Sequence, residues 1–95
     1  MRVIIDEEAY SDLERIYVWI AKDNPTAASS VIDRILAAIG HLGRLPHTGH
    51  PGRARDTFEW VVAKLPYVIV YEIPAGHDRI IITGVFHGAQ QNRRP

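Results

Sequence analysis

Cysteine is absent from the 95-residue chain, which excludes a disulfide framework and a thiolate metal site and argues against redox chemistry. Long apolar runs are absent too. No uninterrupted apolar stretch approaches the roughly 18 residues that a membrane span needs, and the N-terminus lacks the basic-then-apolar run of a secretory leader. The expectation is one small, soluble, cytoplasmic domain over residues 1–95. Charge of one sign is also lacking, since 11 basic residues balance 11 acidic ones. Internal repeats and low-complexity segments are missing as well.

Hydrophobic residues make up 46% of the chain, enough for a single modest core, because folding at this length removes roughly two-thirds of the extended-chain surface. The zero net charge hides an asymmetry. Met1 to Gly43 holds four basic and seven acidic residues, whereas Arg44 to Pro95 holds seven and four. The basic excess gathers at Arg44, Arg53 and Arg55, with His47 and His50 between them, and again at Arg93 and Arg94 in the tail. Such a half could face an anion or simply stay hydrated.

Arg2 to Ile5 is a β-branched run, so residues 1–5 are expected to form a strand. Asp6 then offers a side-chain oxygen to the open amides of a helix whose first turn holds Glu7 and Glu8, both suited to the positive end of the helix dipole. Ala9, Leu13, Ile16, Tyr17 and Ile20 recur at helical spacing, with Asp12, Glu14 and Arg15 turned outward. Asn24-Pro25 is a second start signal. Ala28, Val31, Ile32, Ile35, Ile39 and Leu42 repeat at helical spacing until Gly43 permits a left-handed exit. Residues 7–43 are therefore an antiparallel helical hairpin.

Residues 44–56 hold two Pro, two Gly and no apolar period, which marks a basic loop. Phe58 to Leu65 alternates with both sides largely apolar, the pattern of a central strand covered on both faces. Tyr67 to Ile73 and Arg79 to Phe86 follow after short turns, so residues 57–87 read as a three-stranded antiparallel meander, with 88–95 as a tail. The fold class is α+β: an N-terminal strand, a helical hairpin, then the meander, with the helices packed on one face of the sheet.

Several of these residues carry a resemblance. Ala9-x-x-Asp12-Leu13-x-x-Ile16 with Trp19-Ile20-Ala21, the Asn24-Pro25-x-Ala27-Ala28 link, Pro46-x-x-Gly49, Leu65-Pro66-Tyr67-Val68-Ile69-Val70-Tyr71 and Val85-Phe86-His87-Gly88-x-Gln90 together resemble the ParE/RelE toxin superfamily of bacterial type II toxin-antitoxin modules. The match spans nearly the whole chain and lies nearest the ParE-like branch of plasmid-stabilisation toxins. It implies a RelE/ParE-like fold and a growth-arresting cytoplasmic toxin held inactive by a ParD-like antitoxin, with no cofactor. RelE-like members cut messenger RNA on the ribosome, whereas ParE-like members inhibit DNA gyrase.

Metal-free RNA cleavage needs the 2′-hydroxyl deprotonated, phosphate charge stabilised and the leaving oxygen protonated, so basic and proton-transferring side chains must converge. RelE-like toxins carry an arginine before the Leu/Ile-Val-Tyr triplet. This chain has Val68 there. The last strand offers Thr83 as its only interior polar side chain, and Lys64 is the sole lysine of the C-terminal half. A nuclease would have to rely on His87, Arg53, Arg55 and Tyr71. His47 and His50, without a local Asp or any Cys, do not make a metal site.

The first reading is therefore a non-catalytic gyrase inhibitor without sequence-specific DNA binding of its own, with a RelE-type nuclease as the alternative and a non-toxic interaction domain as a third. Target contact falls to Arg53, Arg55, His87, Arg93 and Arg94. If Arg53 and Arg55 begin the strand leading to Phe58, their spacing puts them on one side. An antitoxin segment that folds on binding must cover apolar surface. Val18 and Trp19, off the buried stripe of the first helix, and Phe58 and Trp60, at strand spacing, are the candidate anchors.

Overall fold

The computed structural model describes residues 1–76 and 78–89. Chain order is β1 (Arg2–Ile5), α1 (Glu7–Ala21), α2 (Pro25–Arg44), a 3-10 turn (Pro46–Thr48), β2 (His50–Pro51), β3 (Thr57–Val61), β4 (Tyr67–Glu72) and β5 (Arg79–His87). Both helix starts use the caps the sequence announces. Asp6 Oδ1 accepts from the Ala9 amide and Asn24 Oδ1 from the Ala27 amide, each at 3.0 Å, and each cap stabilises its helix by about 1 kcal/mol.

The sheet order is β1-β5-β4-β3-β2. β3, β4 and β5 form the antiparallel meander, while β1 lies parallel beside β5, with Val3 opposite Ile80 and Ile5 opposite Ile82. The sheet is thus mixed, and the helical hairpin carries the chain across one face from β1 at one edge to β2 at the other. Leu13 and Ile16 of α1 and Ile35, Ile39 and Leu42 of α2 pack with Ile69, Tyr71, Ile80, Ile82 and Val85 in one core. One helix layer on one sheet face is the α+β architecture expected from the apolar periods.

Four local expectations need correction. Gly43 does not end α2 with a left-handed turn; it is helical and buried, because a Cβ there would sit 2.6 Å from Val3 Cγ2. The glycine serves close helix–strand packing instead. The basic loop is partly ordered, with β2 paired to β3. The second face of β3 is not covered, since Val61 is 57% exposed. β3 also ends at Val61, and Lys64, at φ 62, turns the chain toward β4.

Asp12 departs furthest from its expected outward position. In β5, Ile82 opposes Tyr71 while Gly84 opposes Val70, which leaves Thr83 as a bulged residue. Asp12 Oδ2 accepts from the Val85 amide just beyond that bulge at 2.9 Å, across 73 residues of sequence.

Candidate functional site

A groove of about 1030 Å³ runs between α1 and the C-terminal end of β5, with Val18, Trp19 and Lys22 on the helical wall and Tyr67 and His87 on the sheet wall. Trp19 is 70% and Val18 53% exposed. They stand off the core because α1 spends Ala9, Leu13 and Ile16 on burial, and neighbours of those positions point elsewhere on a 3.6-residue period. The Lys22 ammonium lies 5.3 Å from the Trp19 ring centroid, a cation–π contact at an exposed ring.

The four candidate anchors fall into two groups. Val18 and Trp19 line the groove. Phe58 and Trp60 lie on the helix side of β3 instead, packed against the core. Trp60 is 5.4 Å from the His41 ring, and Phe58 stacks on Tyr71 at 5.4 Å and meets the His47 ring edge-on at 6.3 Å.

His87 closes the sheet wall. It pairs with Tyr67 across the strands, their rings edge to face at 5.5 Å. Its Nδ1 accepts from the Ala89 amide at 3.0 Å, which places the imidazole proton on Nε2 in the neutral ring.

Arg53 and Arg55 sit elsewhere. Both are exposed in the turn between β2 and β3, so the strand-spacing argument for a shared side does not apply to them. That turn is held by the Gly52 amide donating to the Thr57 carbonyl at 2.7 Å, by Thr57 Oγ1 donating to the Ala54 carbonyl at 2.7 Å, and by the left-handed Asp56 at φ 64. Thr57 pairs with Glu72, whereas His87 pairs with Tyr67 at the far end of β4. Five residues of extended chain separate those rows, or roughly 17 Å. His87 and the arginine turn occupy opposite ends of the sheet.

Tyr71 is fully buried. Its hydroxyl accepts from the Gly49 amide at 3.0 Å and donates to the Pro46 carbonyl at 2.8 Å, so it fastens the 3-10 turn to the sheet. Burial pushes its phenol above the ordinary value, partly offset by the Gly49 bond, the reverse of what a general base requires. The four residues a nuclease would need therefore do not converge. Val68 faces away from the helices, buried between Phe86 and Val61 across the strands.

Arg93 and Arg94 lie outside the described residues. Among the described residues no cluster of three or more His, Asp or Glu could hold a metal ion, and no helix is long and apolar enough to cross a membrane. Asp12 was the residue that periodicity missed. An acid at the border of the apolar stripe was its only sequence signal.

A helical hairpin against one face of a mixed five-stranded sheet, with a partly apolar groove beside the first helix, is the architecture of the RelE/ParE fold. The family described as the ParE toxin of type II toxin-antitoxin system, parDE, matches residues 3–92, and the chain belongs to it. It is 43% identical over 79 residues to "Putative toxin Y4kP" of Sinorhizobium fredii (strain NBRC 101917 / NGR234), covering 83% of this chain and 79% of that protein. The fold matches a structure of the chromosomal ParDE system from P. aeruginosa with a TM-score of 0.80 and 17% identity over 92% of this chain and 95% of the other. It also matches the RelBE2 toxin-antitoxin complex from Mycobacterium tuberculosis, at TM-score 0.59 and 27% identity over 90% of this chain and 95% of that one. The chain is thus a ParE-like toxin of a type II toxin-antitoxin system.

Proposed function

We propose that this toxin acts by binding rather than by chemistry, that DNA gyrase is its target, and that a ParD-like antitoxin neutralises it from the groove beside α1. One observation carries the reading. The groups that would have to assemble for metal-free RNA cleavage are dispersed: His87 at one end of the sheet, Arg53 and Arg55 at the other, and Tyr71 sealed in the core. Proton transfer and charge stabilisation demand groups within about 3 Å of one reacting centre. A toxin without that assembly is left with recognition.

For the antitoxin, exposed Trp19 and Val18 beside Tyr67 and His87 offer the apolar anchor that a segment folding on binding needs to offset its ordering entropy. For the target, the Arg53–Arg55 turn presents cationic side chains on a hairpin tip braced by Thr57. The reading requires a bacterial cytoplasm and suits a plasmid-stabilising module.

Purified toxin set against gyrase in a supercoiling assay, alongside a primer-extension map of messenger from expressing cells, tests the target. Loss of supercoiling with intact messenger is expected. Codon-boundary cleavage with normal supercoiling would transfer the protein to the ribosome-dependent nucleases, and absence of growth arrest on expression would leave only a non-toxic interaction domain.

A further inference from the structure

We propose that Asp12 is a positioning residue for the groove: its carboxylate clamps α1 to the β5 bulge and so fixes the separation between the helical wall at Val18 and Trp19 and the sheet wall at Tyr67 and His87.

The need for a clamp arises from the topology. β1 accompanies β5 only as far as Ile82, whose carbonyl accepts from the Asp6 amide at 3.0 Å. The chain then turns into α1 and leaves β5 without a strand on that side. The bulge at Thr83 changes the register there, and Val85 is nearly fully buried. Its amide would be orphaned without a partner, and a buried orphan amide is disfavoured. Asp12 Oδ2 supplies that partner at 2.9 Å. The other carboxylate oxygen pairs with Arg15 one turn along the helix, and only 15% of the Asp12 side chain is exposed.

Gly84 belongs to the same device. A Cβ on Gly84 would lie 3.3 Å from Asp12 Oδ2, tight enough to press on the carboxylate. Glycine lets the acid reach the next amide. Asp12, Val85, Phe86 and His87 all line the groove. The clamp therefore sits where the walls meet, one residue from Phe86 and two turns of α1 from Trp19. Its effect on antitoxin affinity rests on the reading of the groove as the antitoxin seat, whereas its effect on the walls does not.

Nitrogen-labelled full-length toxin reports on the walls directly through the Val85 amide, the Trp19 indole and the His87 ring. Asp12→Ala is expected to raise Val85 amide exchange at least tenfold and to shift the Trp19 and His87 resonances. Asp12→Asn, which keeps an acceptor oxygen, should restore both. If Asp12→Ala does not fold, Gly84→Ala loosens the clamp from the sheet side with the acid in place and is expected to move the same signals. Unchanged Val85 exchange, or freed Val85 with unmoved Trp19 and His87, in the folded variant overturns the proposal. With the co-encoded antitoxin as probe, Asp12→Ala is expected to weaken capture at least tenfold and Asp12→Asn less than twofold. Coupled resonance shifts with unchanged capture would uphold the clamp and overturn the antitoxin's placement in the groove.

Discussion

Trp19 and Tyr71 mark the two ends of what a single aromatic residue does in this protein. Trp19 is mostly exposed and lines the groove, so truncating it removes contact area from a partner and little from the core. Trp19→Ala is expected to leave the melting temperature nearly unchanged while weakening antitoxin binding by about 2 kcal/mol, the scale of an aromatic hot spot. Calorimetric titration beside thermal denaturation checks both halves, and unchanged affinity would remove Trp19 from the interface. Tyr71 reverses the pattern. Tyr71→Phe keeps the buried ring but leaves the Gly49 amide and Pro46 carbonyl without their partner, at an expected cost of about 1–3 kcal/mol in denaturant unfolding. Trp19's departure from the apolar stripe was legible because a helix has a fixed period. The burial of Tyr71 was not. Its partners lie 22 and 25 residues upstream, in a segment without any period.

At the level of elements, local chemistry was readable and long-range pairing was not. Asp6 and Asn24-Pro25 announced both helix starts because capping is settled within four residues. Gly43 carried the same kind of local signal and meant something else. Its job depends on Val3, which β1 brings alongside α2, and no local pattern reports that approach. Two effects therefore oppose each other in Gly43→Ala. The helix gains about 1 kcal/mol from alanine's propensity, but the new methyl meets Val3 Cγ2 at 2.6 Å, and overpacking costs about 1–3 kcal/mol. Net destabilisation is expected, and a companion Val3→Ala change should recover part of it. The hairpin tip supplies the functional counterpart. Reversing charge at Arg53 and Arg55, both exposed in the turn between β2 and β3, is expected to raise the toxin concentration that half-inhibits gyrase at least tenfold while leaving antitoxin affinity intact. Full inhibition by the double variant would remove the turn from the target surface.

The whole molecule is organised by a pairing that joins its two ends. β1 lies beside β5 with Arg2 opposite Arg79, and the hairpin that follows β1 carries the chain over one face to β2 at the opposite edge. Amphipathic periods predicted that helices and sheet would share a core, but the parallel partner of β1 is a property of the closed fold. Tyr67 and Tyr71 are both buried in that sheet, and burial pushes both phenols above their ordinary value of 10.0. The folded state therefore binds these two protons more tightly than the unfolded chain does. Their contribution to stability is fully present below about pH 10, the value of an unfolded tyrosine, and is lost as pH rises through the raised folded values. A fall in unfolding free energy is expected above that pH. Tyr67→Phe isolates the effect, because it removes one titrating group while keeping the ring in contact with the core. The variant should lose stability with a shallower slope over the interval above about pH 10 than the parent. Parallel slopes in urea unfolding across that interval would show that some other group governs alkaline unfolding.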